Sequence, residues 1–104
     1  MMTPNNTVRP FRFEIIDISN SFVLVELPER FVRCAEDGTP DADHLYEVVE
    51  TLVEARGFEV ALRMSLIHED NHGIYYPHVV QFGAISGWVR ATAVGPRVTG
   101  GADG

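Results

Sequence analysis

The sequence predicts an α+β fold: a twisted antiparallel β-sheet of four to five strands, in the order β-β-α-β-β-β, with one main amphipathic helix packed on one face. Three observations predict it. Two apolar, β-rich segments at 11–18 and 22–27 flank a short polar break. Residues 39–57 repeat apolar side chains at helical spacing, whereas residues 58–67 alternate apolar and polar side chains. Strands on both sides of a single helix are typical of this class.

The first two segments predict a β-hairpin. Residues 11–18 are aromatic and β-branched, and a change of parity at Ile16 indicates either a bulge or a strand that is apolar on both faces. The Ser-Asn-Ser sequence at 19–21 supplies turn residues. Residues 22–27 are almost continuously apolar, which favours a central position for the second strand.

The next segment predicts a short helix. Pro28 lacks a backbone donor, so it is expected to end the ladder and to occupy the first position of a helix that stops before Gly38. Phe31, Val32 and Ala35 would then share the inner face of that helix.

The main helix is predicted over residues 39–57. Thr39 and Pro40 form its expected start, because a threonine oxygen caps free amides and proline suits the first turn. Arg56 and Gly57 stand where a favourable charge and a left-handed residue end a helix. The expected buried stripe consists of Leu45, Val48, Val49, Leu52 and Ala55.

Three strands are predicted after the helix. Residues 58–67 alternate strictly, which is the period of a strand. Residues 74–82 are β-rich, but Pro77 indicates an edge or a bulge in their first half. Residues 87–94 form the last predicted strand. The expected buried side chains of the first of these strands are Phe58, Val60, Leu62, Met64 and Leu66.

A chain of 104 residues predicts one domain, at 10–94, between a flexible N-terminal tail at 1–9 and a flexible glycine-rich C-terminal tail at 95–104. The absence of a secretory signal and of a long apolar segment, together with the single cysteine, Cys34, predicts a soluble cytoplasmic protein. Eight arginines and no lysine stand against fifteen acidic residues, for a net charge of −7. Direct binding of nucleic acid through a basic patch is therefore not expected.

One stretch raises the question of a metal site. His68, Glu69 and His72 follow the H-E-x-x-H order, and His78 comes ten residues after His68. In these four residues the stretch is similar to the motif of the metzincin zinc peptidases. The resemblance implies zinc held by the three histidines and Glu69 as general base. The family has a glycine three positions after the second histidine, where this sequence has Tyr75.

The surrounding sequence favours a turn over a metal site. A zinc-binding helix needs an amphipathic segment before its first histidine, whereas residues 58–67 have the period of a strand. The Glu-Asp-Asn-His-Gly sequence at 69–73 combines side chains that favour turns with a glycine. We therefore expect a hairpin loop and no cofactor, with a zinc-dependent hydrolase as the alternative.

A row of carboxylates marks the predicted helix. The spacing of four, three and four residues places them on one stripe, where like charges repel each other. Either the row simply faces water, or it meets arginines and lysines of another protein. The row consists of Asp43, Glu47, Glu50 and Glu54.

These features lead to an expected function. Tyr75, Tyr76 and Trp88 are candidate anchors for a partner, because exposed aromatic residues are frequent at interfaces. With the acidic row, they indicate a non-enzymatic protein-binding module that docks on a basic, nucleic-acid-handling protein. Inhibitors or adaptors of the immunity, antitoxin or phage anti-defence kind use such surfaces. The zinc-dependent hydrolase and a structural subunit of a larger assembly, such as a virion, are the alternatives, and a homo-oligomer is compatible with each.

Overall fold

A computed structural model of the chain describes residues 7–65, 73–96 and 98–99. Its elements, in chain order, are strand β1 (Thr7–Asp17), strand β2 (Val23–Arg33), helix α1 (Ala42–Glu54), strand β3 (Glu59–Arg63), strand β4 (Ile74–Phe82), strand β5 (Ile85–Ala93) and the short strand β6 (Val98–Thr99). The strands form one antiparallel sheet in the order β2-β1-β5-β4-β3, and β6 pairs with the start of β1. The predicted α+β class and element order are confirmed.

The core lies between α1 and one face of the sheet. Alternate side chains of β1 point to this face, because successive residues of a strand project to opposite sides. Phe11, Phe13 and Ile15 are fully buried there, and the helix contributes Leu45 and Val49. The apolar stripe of α1 and the apolar side chains on one face of the sheet thus form the two halves of one core.

The first hairpin is confirmed, but its second strand lies at the edge of the sheet and not in the centre. The turn is closed by a hydrogen bond from the amide of Ser21 to the carbonyl of Asp17, and Ser21 adopts a positive φ of 66°. β1 lies between β2 and β5, so the interior strand is β1, in which apolar residues alternate with other residues. The apolar run of β2 leaves Val23 43% exposed. In β2, a continuous apolar run therefore does not indicate burial on both faces.

The predicted helix at 28–38 is wrong, because β2 continues through this segment to Arg33. Pro28 falls within a shift of the register between β1 and β2, where Phe11 pairs with Arg30 and Phe13 pairs with Leu27. An irregular edge strand tolerates a proline, since the missing donor need not break a ladder hydrogen bond.

Helix α1 is shorter than the predicted range. Its N-cap is Asp41, whose carboxylate accepts hydrogen bonds from the amides of Asp43 (3.1 Å) and His44 (3.4 Å). Gly57 has a φ of +85°, and the amide of Phe58 bonds back to a carbonyl of the last turn, as the sequence predicted for a glycine-terminated helix. Ala55, expected to be buried, is exposed after the end of the helix.

Bulges change the faces of β3 and β4. The predicted bulge near Pro77 is present, since the register shifts between Tyr75 and His78. A second shift, between Val60 and Leu62, was not predicted. It turns Leu62 away from the core and leaves this side chain 54% exposed.

The ends of the described chain extend the sheet beyond the predicted domain. Residues 7–9, expected in the N-terminal tail, belong to β1. Residues 98–99, expected in the C-terminal tail, form β6 and pair with Thr7 and Val8. Within the described ranges, the helix is too short and too polar to cross a membrane.

Candidate protein-binding surfaces

Three of the four predicted carboxylates lie on the outer side of α1. Asp43, Glu47 and Glu54 are exposed, opposite the stripe that carries Leu45 and Val49 into the core. Within the part of the chain that the structure describes, no salt bridge joins these three carboxylates to an arginine. We call these three residues the outer acidic face.

Glu50 departs from this arrangement because it has partners within the molecule. Arg63 donates to both of its carboxylate oxygens, with Nε at 2.7 Å and Nη2 at 3.2 Å. His78 Nε2 lies 2.9 Å from Glu50 Oε2. Glu50 therefore belongs to an internal cluster, and we leave it out of the outer acidic face.

Tyr46 completes this cluster. It lies one turn before Glu50 on the same side of α1, and its hydroxyl donates to the carbonyl of Met64 at 2.6 Å. Its ring meets the imidazole of His78 edge-on, with centroids 5.3 Å apart, and the guanidinium of Arg63 lies 4.8 Å from the ring centroid. The cluster joins the outer edge of α1 to β3 and β4.

The protonation state of His78 follows from these contacts. Hydrogen bonding from Arg63 lowers the pKa of Glu50 to about 2, so this carboxylate is an acceptor at neutral pH. His78 must therefore donate, which places its proton on Nε2. Burial lowers the pKa of His78 below its ordinary value, although the Glu50 carboxylate opposes the shift. Nδ1 is buried without a hydrogen-bond partner among the described residues.

A pair of Glu and His can support acid–base chemistry, but His78 is placed for a structural role. Its side chain is fully buried, with Nε2 directed at Glu50. A general base has to come within hydrogen-bond reach of the substrate. The geometry therefore assigns the Glu50–His78 contact to the packing of α1 on the sheet.

The histidine motif is only partly visible. His68, Glu69 and His72 lie outside the described residues. His78, the third expected ligand, directs Nε2 to Glu50. Among the residues that the structure describes, no group of three or more His, Cys, Asp or Glu side chains is placed to share a metal ion.

The three predicted aromatic anchors are separated. Tyr75 is buried in the core beside Phe11, with ring centroids 6.2 Å apart, so its predicted role as an anchor is wrong. Tyr76 and Trp88 pack edge-on, 6.3 Å apart, on the face of the sheet turned away from α1. Consecutive residues of a strand point to opposite faces, and this rule applied to Tyr75 and Tyr76 already excludes a joint role.

The described molecule thus carries two exposed surfaces on opposite sides: the outer acidic face and the sheet face with Tyr76 and Trp88. The sequence did not reveal Arg63 as the partner of Glu50, because thirteen residues separate them and no local period connects a helix to the following strand. A comparison with protein-family models, curated proteins and solved structures finds no match to this chain.

Proposed function

We propose that the protein is a small acidic, non-enzymatic binding module, an inhibitor or adaptor whose outer acidic face docks on a basic surface of a nucleic-acid-handling protein. The observation that supports this proposal is the row of exposed carboxylates on α1, which form no salt bridge with an arginine of the described residues. Asp43, Glu47 and Glu54 cover about 16 Å of helix, at 1.5 Å per residue.

The row is unfavourable in the isolated molecule. Asp43 and Glu47 are four residues apart, and like charges at this spacing cost roughly 0.2–0.5 kcal/mol per pair. The net charge of −7 adds a repulsive field around the whole chain. When arginines or lysines of a partner face the row, the same carboxylates and the same net negative charge attract that partner. This attraction raises the association rate and selects against acidic partners.

The helix also presents its carboxylates on a rigid support. Leu45, Val49 and Val53 anchor one side of α1 in the core, and the contacts of Glu50 fix a second side against β3 and β4. A surface that is already ordered loses less conformational entropy when it binds.

Proteins that handle nucleic acids bind phosphates through basic clefts, so they are the partner class that this charge pattern fits. Immunity proteins, antitoxins and phage inhibitors of bacterial defence are comparable in general terms, by analogy of surface alone.

Charge reversal on the outer acidic face tests the proposal. We expect Glu47→Arg with Glu54→Arg to abolish capture of the partner in affinity purification from the native host, followed by mass spectrometry. The thermal stability should stay about the same, since both side chains are exposed and an arginine near the C-terminal end of a helix is favourable. The captured protein should present a basic surface, and its activity on nucleic acid should fall when wild-type protein is added.

A matched control separates this surface from net charge. Glu29→Arg with Glu36→Arg makes the same change in charge at exposed positions outside the helix, and it should retain capture. Retained capture by the helix variant would reject the proposal. Equal loss of capture in both variants would show that capture depends on net charge and not on the outer acidic face.

A further inference from the structure

The sheet face turned away from α1 carries an apolar row that crosses all five long strands. The register pairs Leu62 with Val79 and Val79 with Trp88. It then pairs Trp88 with Ile16 and Ile16 with Val23. Leu62 and Val23, at the two ends of the row, are 54% and 43% exposed. We call these five residues the apolar row.

The apolar row and the helix lie on opposite sides of the sheet. Ile15 and Val89 are register partners, and both are buried in the core that α1 covers. The next partners along the same strands, Ile16 and Trp88, must therefore point to the other face. No helix of the described chain packs on this face as α1 packs on the first, although Ile16, in the middle of the row, is only 5% exposed.

The centre of this face is shaped to receive side chains. Tyr76 is 42% exposed and packs edge-on against Trp88. A shallow cavity of about 300 Å³ lies between these two rings, Ile16 and Ser21. Trp88 is partly exposed, and tyrosine and tryptophan side chains beside a cavity are typical anchors of protein interfaces.

The charge around the apolar row differs from that of the rest of the molecule. Arg90 donates to Glu14 at 2.8 Å, and Glu14 is the register partner of Glu26. Glu59 lies on the other side of the row, and Arg12 lies on the same face one position beyond Glu14, so the register places two arginines and three glutamates on this face. These two arginines and three glutamates sum to a charge of −1, whereas the outer acidic face carries three carboxylates and no arginine.

We infer that this face binds a second copy of the same chain, sheet against sheet. Two copies related by a two-fold axis would bring apolar row against apolar row and direct the acidic helices outward, away from each other. The mixed charges of this face allow arginines of one copy to meet glutamates of the other, whereas two outer acidic faces would repel each other.

The available area matches a stable interface. Five strands about 4.8 Å apart, with a mean length of nine residues at roughly 3.3 Å per residue, form a face of about 700 Å² per copy. Stable protein interfaces bury about 800 Å² per partner. This inference does not depend on the proposed function, but the dimer would present the outer acidic face twice, on opposite sides, and would suit a partner with repeated basic sites.

The first test measures mass and fluorescence over a dilution series. Trp88 is the single tryptophan of the chain, so its emission reports directly on this face. We expect the mass in sedimentation equilibrium to rise from 11.6 kDa to twice that value with concentration. The emission of Trp88 should shift to shorter wavelength over the same range, as its ring leaves water. A mass that stays at the monomer value at every concentration would overturn the inference.

The second test places the interface on the molecule. Leu62→Arg with Val23→Arg should weaken self-association by about tenfold or more, because arginine at an apolar contact loses hydration without gaining a partner. Both positions are exposed, so we expect the variant to fold. The control is Phe82→Arg, which is 49% exposed in the wild type and packs against Phe58 on the helix side of the sheet. It should leave self-association unchanged.

The results also separate this inference from the proposed function. Glu47→Arg with Glu54→Arg should still dimerise, since these residues lie on the opposite side of the molecule. Dimers that survive the double change in the apolar row, or that are lost only with Phe82→Arg or with the helix variant, would show that the sheet face is not the interface.

Discussion

At the scale of single residues, Glu50 shows how one carboxylate in a row acquires a role of its own. It lies on the same side of α1 as Tyr46, four residues earlier, where β3 and β4 pass beneath the helix. Arg63 and His78 both reach its carboxylate from those strands. Glu47 is one turn from this contact zone and remains exposed. A rotation of a few tens of degrees around the helix thus separates a structural ion pair from a free surface charge.

This difference predicts unequal costs of neutralising the two residues. We expect Glu50→Gln to lower the free energy of unfolding by about 1–2 kcal/mol, because Arg63 and His78 lose a charged acceptor. The loss of stability is limited to this range because Arg63 is more than half exposed and solvent screens the ion pair. Glu47→Gln should change the stability by less than about 0.5 kcal/mol. Urea unfolding of both variants measures this, and equal costs would contradict the assigned role of Glu50.

His78 predicts a dependence of stability on pH. Burial lowers its pKa in the folded state below the ordinary value of 6.5, so below that pH the unfolded chain binds more protons than the folded one. Stability should therefore fall as the pH drops through and below 6.5. A second loss is expected between 4.5 and about 2, as Glu50 becomes protonated.

The histidine contribution can be isolated by substitution. His78→Gln should flatten the loss of stability between about pH 7.5 and about pH 5.5, measured by urea unfolding at each pH. The pKa of His44 is also lowered, mainly by burial, so part of the slope should remain. An NMR titration in which the His78 imidazole of the folded wild type gains its proton above the ordinary pKa would contradict the sign of this prediction.

At the scale of secondary-structure elements, irregularities in the strands decide which side chains are exposed. The shift between Val60 and Leu62 moves Leu62 to the open face, and the bulge between Tyr75 and His78 allows the imidazole to reach Glu50. Such bulges insert residues into one strand and reverse the alternation after them. The sequence indicated the bulge at Pro77 because proline disturbs a ladder. It carried no comparable signal beside Val60.

The start of α1 provides a test at this scale. Thr39 was the expected cap, but Asp41 accepts the hydrogen bonds of the first turn. We expect Asp41→Ala to lower the free energy of unfolding by about 0.5–2 kcal/mol, the usual cost of removing an N-cap. Thr39→Ala should cost clearly less, since the caps of α1 do not involve its side chain. Thermal unfolding compares the two variants, and a larger effect at Thr39 would restore the cap expected from the sequence.

At the scale of the whole molecule, the sheet separates the two surfaces that could contact other proteins. The outer acidic face lies on α1, and the apolar row lies on the far side of the strands. A contact through Trp88 and a contact through Glu47 therefore cannot belong to one flat interface. The separation allows self-association on one side and partner binding on the other, and for this reason the two proposals can be tested independently.

The sequence by itself determined the fold class, the first hairpin, the helix with its glycine end and the clustering of carboxylates on one stripe, because these features depend on local periodicity and on the conformational preferences of nearby residues. Only the tertiary structure decided that β2 is an edge strand, that Glu50 pairs with Arg63 and His78, that Tyr75 is buried and that Leu62 joins the open face. These outcomes depend on strand order and register, which are set by contacts between residues far apart in the chain and leave no period along it.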